Sequence, residues 1–96
     1  MNEKIFSKYT IIFSKKADKF LDSLDLKTSY KILKKIRELQ DSNENLDIKK
    51  LKSKNNLYRL KVGNFRVIYN IQHERIVIYI IKIGHRKNVY QQQNFI

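Results

Sequence analysis

The chain contains no cysteine, which excludes disulfides and thiolate metal sites together. It has two histidines, His73 and His85, and nine acidic residues, so no dedicated metal-ligand set stands out and no cofactor is expected. No apolar run approaches the length of a membrane span. The segment from Met1 to Lys8 lacks the apolar stretch of a signal peptide. A cytoplasmic protein without membrane contact is the expectation. Internal repeats, low-complexity tracts and interdomain linkers are also missing, so the 96 residues read as a single domain over 1–96.

Against these absences stands the charge. Lys and Arg number 21, Asp and Glu 9, and the formal net charge is +12. A small domain this basic attracts polyanions such as nucleic acid, the ribosome or an acidic protein. A lysine-rich background explains part of the lysine count. It explains less well the arginines, four of which (Arg59, Arg66, Arg75 and Arg86) fall between Leu57 and Tyr90.

Tyr9 to Phe13 is a short β-branched and aromatic run, suited to a first strand. Ser14 can cap the next helix by accepting from an early amide. Ala17, Phe20, Leu21 and Leu24 form one stripe, which predicts a helix over Lys15 to Leu24. A second helix is expected over Lys27 to Asp41. Its face would carry Leu26, Tyr30, Leu33 and Ile36, widened by Ile32 and Leu39. After a polar loop at Asp41 to Asn45, the segment Leu46 to Leu51 returns toward the sheet, anchored by Ile48 and Leu51. Lys49, Lys50, Lys52 and Lys54 make a basic run. It reads either as a solvated face or as an RNA- and ribosome-contacting one.

The stretch LYRLKVGNFRVIYNIQHERIVIYIIKIGHRKNVY carries most of the candidate chemistry. Gly63-Asn64 between alternating runs is a two-residue hairpin signal. It predicts the pairs Val62 with Phe65, Lys61 with Arg66 and Leu60 with Val67. One face then holds Tyr58, Leu60, Val62, Phe65, Val67 and Tyr69, and the other Arg59, Lys61 and Arg66, with Ile68 between. Like charges placed opposite each other destabilise a sheet. A fold does not need this arrangement, but a phosphate site does, since guanidinium groups grip two phosphate oxygens at once. The bland alternative is an exposed face that happens to be basic. Gln72 to Arg75 should make the next turn, with His73 a surface residue. Ile76 to Ile83 is apolar on both faces, and Lys82 marks a rim or a bulge.

RNA can be cleaved by its own 2′-hydroxyl, with a base for that hydroxyl, cations on the phosphorane and an acid for the leaving oxygen. Arg59, Lys61, Arg66 and Arg86 can supply charge. His85 is a candidate acid or base by residue type. Lysine can act as a base where other cations crowd it, which makes Lys61 a candidate too. Tyr90 could stack on a base, donate a proton or simply anchor the C-terminal end of the core.

The order strand, two helices, three-stranded meander resembles the RelE/ParE superfamily of toxins from type II toxin–antitoxin systems. The motifs YRLKVGNFRVIY and IGHRKNVY carry that resemblance, with LDIKKLK as the lead-in. It covers about Tyr9 to Tyr90. It implies an α+β fold of the pattern β-α-α-β-β-β, with two N-terminal helices packed on a mainly antiparallel sheet. It further implies a ribosome-dependent endoribonuclease that cuts mRNA in the A site. The implied catalytic set is Arg59, Lys61, Arg66, His85, Arg86 and Tyr90. Arg59 stands where the best-known ribosomal member has a lysine. The alternative within the superfamily is a gyrase inhibitor of the ParE kind. A cognate antitoxin is implied as partner, with DNA contacted only through it.

Overall fold

The computed structural model describes residues 9–41, 45–51 and 56–89. The element order is β1 (Thr10–Phe13), α1 (Lys15–Asp22), α2 (Leu26–Arg37), a short 3-10 turn (Glu38–Gln40), β2 (Asp47–Lys50), β3 (Leu57–Val62), β4 (Phe65–Gln72) and β5 (Val77–His85). The five strands form one sheet in the order β1-β5-β4-β3-β2. β1 pairs parallel with β5, and the other three pairings are antiparallel. The segment after the polar loop is thus itself an edge strand, one more than the expected meander.

Both helix starts follow from their capping residues. Ser14 Oγ accepts from Ala17 N at 3.0 Å and donates to the Ile81 carbonyl at 2.7 Å, so the cap of α1 is also a bolt onto β5. Asp25 accepts from Thr28 N at 3.1 Å and starts α2. The hydrogen bonds from Thr28 hold the exposed Asp25 carboxyl below its ordinary value. α1 ends at Asp22 and α2 at Arg37, each a little earlier than the periodicity suggested.

The helices cover one face of the sheet. Ala17, Leu21, Ile32, Ile36 and Leu39 pack with Leu60, Val67, Tyr69, Ile78, Ile80 and Ile83. Fully burying a side chain such as Ile32 or Ile36 is worth about 1.5–3 kcal/mol. On α2 and the turn that follows it, the structure bears out Leu33, Ile36, Ile32 and Leu39 of the expected face and corrects Leu26 and Tyr30. Ile32 and Ile36 point inward, while Leu26 is 88% and Tyr30 60% exposed. Leu33 packs half-buried against the same core, so only the N-terminal outer part of the apolar surface, Leu26 and Tyr30, misses the sheet. Tyr69, stacked on Tyr58 at 5.5 Å, lies under the helical layer, and burial pushes its hydroxyl well above the ordinary value.

The opposite face has its own smaller cluster of Leu57, Ile68 and Val89, flanked by Leu51 and Ile81. A register shift opposite Ile68 and Tyr69 lets Val67 pair with Ile83 while Tyr69 pairs with Ile80. That three-residue step keeps both Ile80 and Ile83 on the helical side. The irregularity falls at Ile81 and Lys82, where Lys82 had suggested a rim or bulge.

Candidate functional site

The hairpin register matches the expectation residue for residue. Val62 pairs with Phe65, Lys61 with Arg66, Leu60 with Val67, and Arg59 with Ile68. Gly63 has φ of +58°, and Asn64 is not left-handed. That sign pattern belongs to a type II′ turn, which takes glycine at its first central position. The turn therefore fixes which face receives the cations.

β2 lies beside β3, with Lys49 paired to Arg59 and Asp47 to Lys61. On the face away from the helices, Lys49, Leu51, Arg59, Arg66 and Arg86 line a cavity of about 440 Å³. Four cations share it, and among the described residues no carboxylate lines it. Arg66 is only 8% exposed. Its Nη1 donates to the Gly63 carbonyl at 2.8 Å and the Phe65 carbonyl at 2.9 Å, so the cation braces the hairpin turn. Arg59 is held by Asp47 at 2.8 Å, and its Nε is buried without an acceptor among the described residues. Lys61 is exposed, directly opposite Arg66. Arg86 follows β5 and is exposed, and its amide donates to the Asn64 carbonyl at 2.8 Å.

His85 stands apart from these cations. It pairs with Phe65, while Gly84 pairs with Arg66, so the two neighbours face opposite sides of the sheet. The His85 ring lies 4.9 Å from that of Phe65 and 5.7 Å from the edge-on ring of Phe20. It lines a second cavity, of about 490 Å³, with Asn64, Arg86, Lys87 and Asn88. Arg86 borders both cavities.

Lys50 is exposed on β2 and pairs with Tyr58, which places it on the helical side rather than in the basic cleft. Tyr90, Lys52 and Lys54 lie outside the described residues. His73 is an exposed turn residue, as expected, and its Nδ1 lies 2.8 Å from Tyr9 Oη. Lys82 is pushed below its ordinary value by partial burial, and secondarily by Lys16. Sequence reasoning passed over Asp47, Asn64, Lys87 and Asn88. Asp47 could have been found only by pairing β2 on β3. The other three lie inside the two motifs that carry the resemblance, Asn64 already read as a turn residue.

Comparison with known proteins is consistent with this geometry. Residues 11–90 match the family of the ParE toxin of type II toxin-antitoxin system, parDE. Toxin RelE3 of Methanocaldococcus jannaschii is 39% identical over 59 residues, covering 57% of this chain and 65% of the relative. The match thus spans just under two thirds of that relative. The putative toxin RelE1 of the same organism is 36% identical over 66 residues, 62% of this chain and 73% of the relative. Among solved structures, the archaeal RelE-RelB complex from Pyrococcus horikoshii OT3 aligns with a TM-score of 0.72 and 29% identity, over 85% of this chain and 99% of that one. The RelB-RelE antitoxin-toxin complex from Methanococcus jannaschii gives 0.68 and 32%, over 82% and 94%. The chain belongs to the RelE/ParE superfamily of type II toxin–antitoxin toxins.

Proposed function

We propose that this protein is the toxin of a type II toxin–antitoxin pair and stops translation by cutting mRNA in the ribosomal A site. The observation that carries this reading is the cavity where Lys49, Arg59, Arg66 and Arg86 converge. The reaction needs no metal, because RNA brings its own nucleophile. The 2′-oxygen bonds to the adjacent phosphorus, the bond to the 5′-oxygen breaks, and a 2′,3′-cyclic phosphate and a 5′-hydroxyl result. Arg66, fixed by two carbonyls, and Arg59, with an unsatisfied Nε, are preorganised donors for the phosphorane oxygens. Arg86 closes the cleft from the turn after β5. Lys61 stands on the same face as Arg59 and Arg66 and is the base candidate there. Tyr90 is carried by the family motif as the acid or stacking residue. Lys49 and Lys50 on β2 present charge to ribosomal RNA, and Lys52 and Lys54 of the same basic run are further candidates for that contact.

The protein would work in the cytoplasm, restrained by a cognate antitoxin. The RelE chains in the archaeal and Methanococcus structures are in complex with RelB, which supports such a partner. DNA would be reached only through that antitoxin.

Primer extension on mRNA in a purified translation system tests the reading. Cuts spaced by codons within translated mRNA are the expected result. The ParE family match over 11–90 favours a second reading, inhibition of DNA gyrase without nuclease activity. Intact mRNA together with blocked gyrase supercoiling would establish that one instead.

A further inference from the structure

We infer that the cavity beside His85 is a nucleobase pocket, in which one base of the RNA stacks on His85 and presents its edge to Asn64 and Asn88. This rests on the RNA-cleaving reading and names a subsite and a specificity determinant within it.

The pocket of about 490 Å³ is lined by Asn64, His85, Arg86, Lys87 and Asn88, all exposed and none acidic. Its ring, that of His85, is propped from behind. Phe65 of the hairpin lies beneath it at an interplanar angle of 36°, and Phe20 of α1 meets it edge-on at 81°. An exposed ring so held is a platform, because every base offers a π-face to stack on. A pocket for a bare anion would need the cations but not the ring.

The backbone is equally well fixed. The His85 carbonyl accepts from Asn88 N at 2.9 Å and Val89 N at 3.0 Å, and the Asn64 carbonyl accepts from Arg86 N. Both asparagines therefore project from hydrogen-bonded turns. A side-chain amide carries a donor and an acceptor together, which is what reading a base edge requires.

Arg86 joins this pocket to the phosphate cleft. A phosphate held by Arg59, Arg66 and Arg86, and a base held by His85, would be neighbouring parts of one strand passing over the end of the sheet. The same geometry argues against proton transfer by His85. Its side of the sheet is that of Phe65, and the cleft lies on that of Gly84 and Arg66.

The test uses single-turnover cleavage on mRNA-programmed ribosomes, read by primer extension, for the full-length protein and for H85A and H85F. H85A should lose about tenfold in kcat/KM, mostly through KM. H85F should remain within about threefold of the parent, with an unchanged pH profile, because it keeps the stack and lacks a proton to exchange. An abasic nucleotide is also placed in turn at each position of the A-site codon. The parent should lose about tenfold at one position, and H85A should be indifferent there. Parent cleavage indifferent to the abasic nucleotide at every position overturns the pocket while leaving the nuclease reading intact, even if H85A fails to fold. H85F as impaired as H85A, or shifted in pH profile, makes His85 a proton carrier and also overturns it. Parent protein that leaves natural mRNA uncut removes the nuclease reading and this inference with it.

Discussion

Arg66 does two jobs, and they can be separated. The residue is 8% exposed, and its guanidinium holds two carbonyls at the Gly63 turn while Arg66 also lines the phosphate cleft. Hydrogen bonds to a charged donor are worth about 1.5–3 kcal/mol each in favourable settings. Against this stand the desolvation of a nearly buried cation and repulsion from Lys61 across the strands, the latter about 0.2–1 kcal/mol. R66A should therefore destabilise the fold by about 1–2 kcal/mol net. For a domain of this size that lowers Tm by about 4–16 °C. R86A removes an exposed side chain and should leave Tm within about 2 °C. Both variants should lose mRNA cleavage and growth arrest. The assay is thermal melting by circular dichroism beside primer extension, at matched concentration and below the Tm of each variant. R66A that melts with the parent protein would refute the bracing role. Full activity in both variants would refute the cleft.

Three further outcomes are expected. G63A forces a side chain into the left-handed region at φ +58°, and should cost about 1–2 kcal/mol in urea unfolding although the space around it is open. Stability should fall at alkaline pH. Tyr69 is held neutral by burial in the folded chain, whereas the unfolded tyrosine ionises near the ordinary value of 10.0. Its folded-state value is raised, so its contribution is complete below pH 10 and is lost as pH climbs above that. Absorbance at 295 nm should show one tyrosine titrating only with unfolding. Ribosome association should weaken steeply with salt, by a slope matching the phosphates neutralised, and a flat response in a pelleting assay would exclude the cationic cleft as the docking surface.

The hairpin was legible because two local signals agree: a glycine turn and alternation on both sides of it, interrupted only at Ile68. Each would have been weak alone. Ser14 was legible as a cap for the same reason, since it precedes a clear apolar stripe. The face of α2 was legible in part. Leu33, Ile36, Ile32 and Leu39 do pack on the core, but Leu26 and Tyr30 continue the same spacing, and only the position of the sheet leaves them out. β2 escaped recognition as a strand because it is an edge with one inward apolar residue, Ile48, among charges. The side taken by His85 depends on the bulge at Ile81 and Lys82, and a single-residue step in register reverses every residue beyond it. Motif adjacency placed His85 with Arg86. The strand parity places their side chains around two cavities that share only Arg86 from the cationic set.

The parallel pairing of β1 with β5 also governs the order in which the molecule can be made. Thr10 to Phe13 is synthesised well before Val77 to Ile80, the segment with which it pairs. Closing so long a loop is slow and must wait for the distant strand to exist. Arg59 and Arg66 arrive together on one hairpin, but Arg86 joins them only once β5 has inserted between β1 and β4. The third arginine of the cleft and the full floor beneath the helices thus form in one late event. On the function proposed here, a chain in which β5 has not yet paired with β4 carries no complete cleft, and the protein becomes dangerous to translation only once that pairing is made.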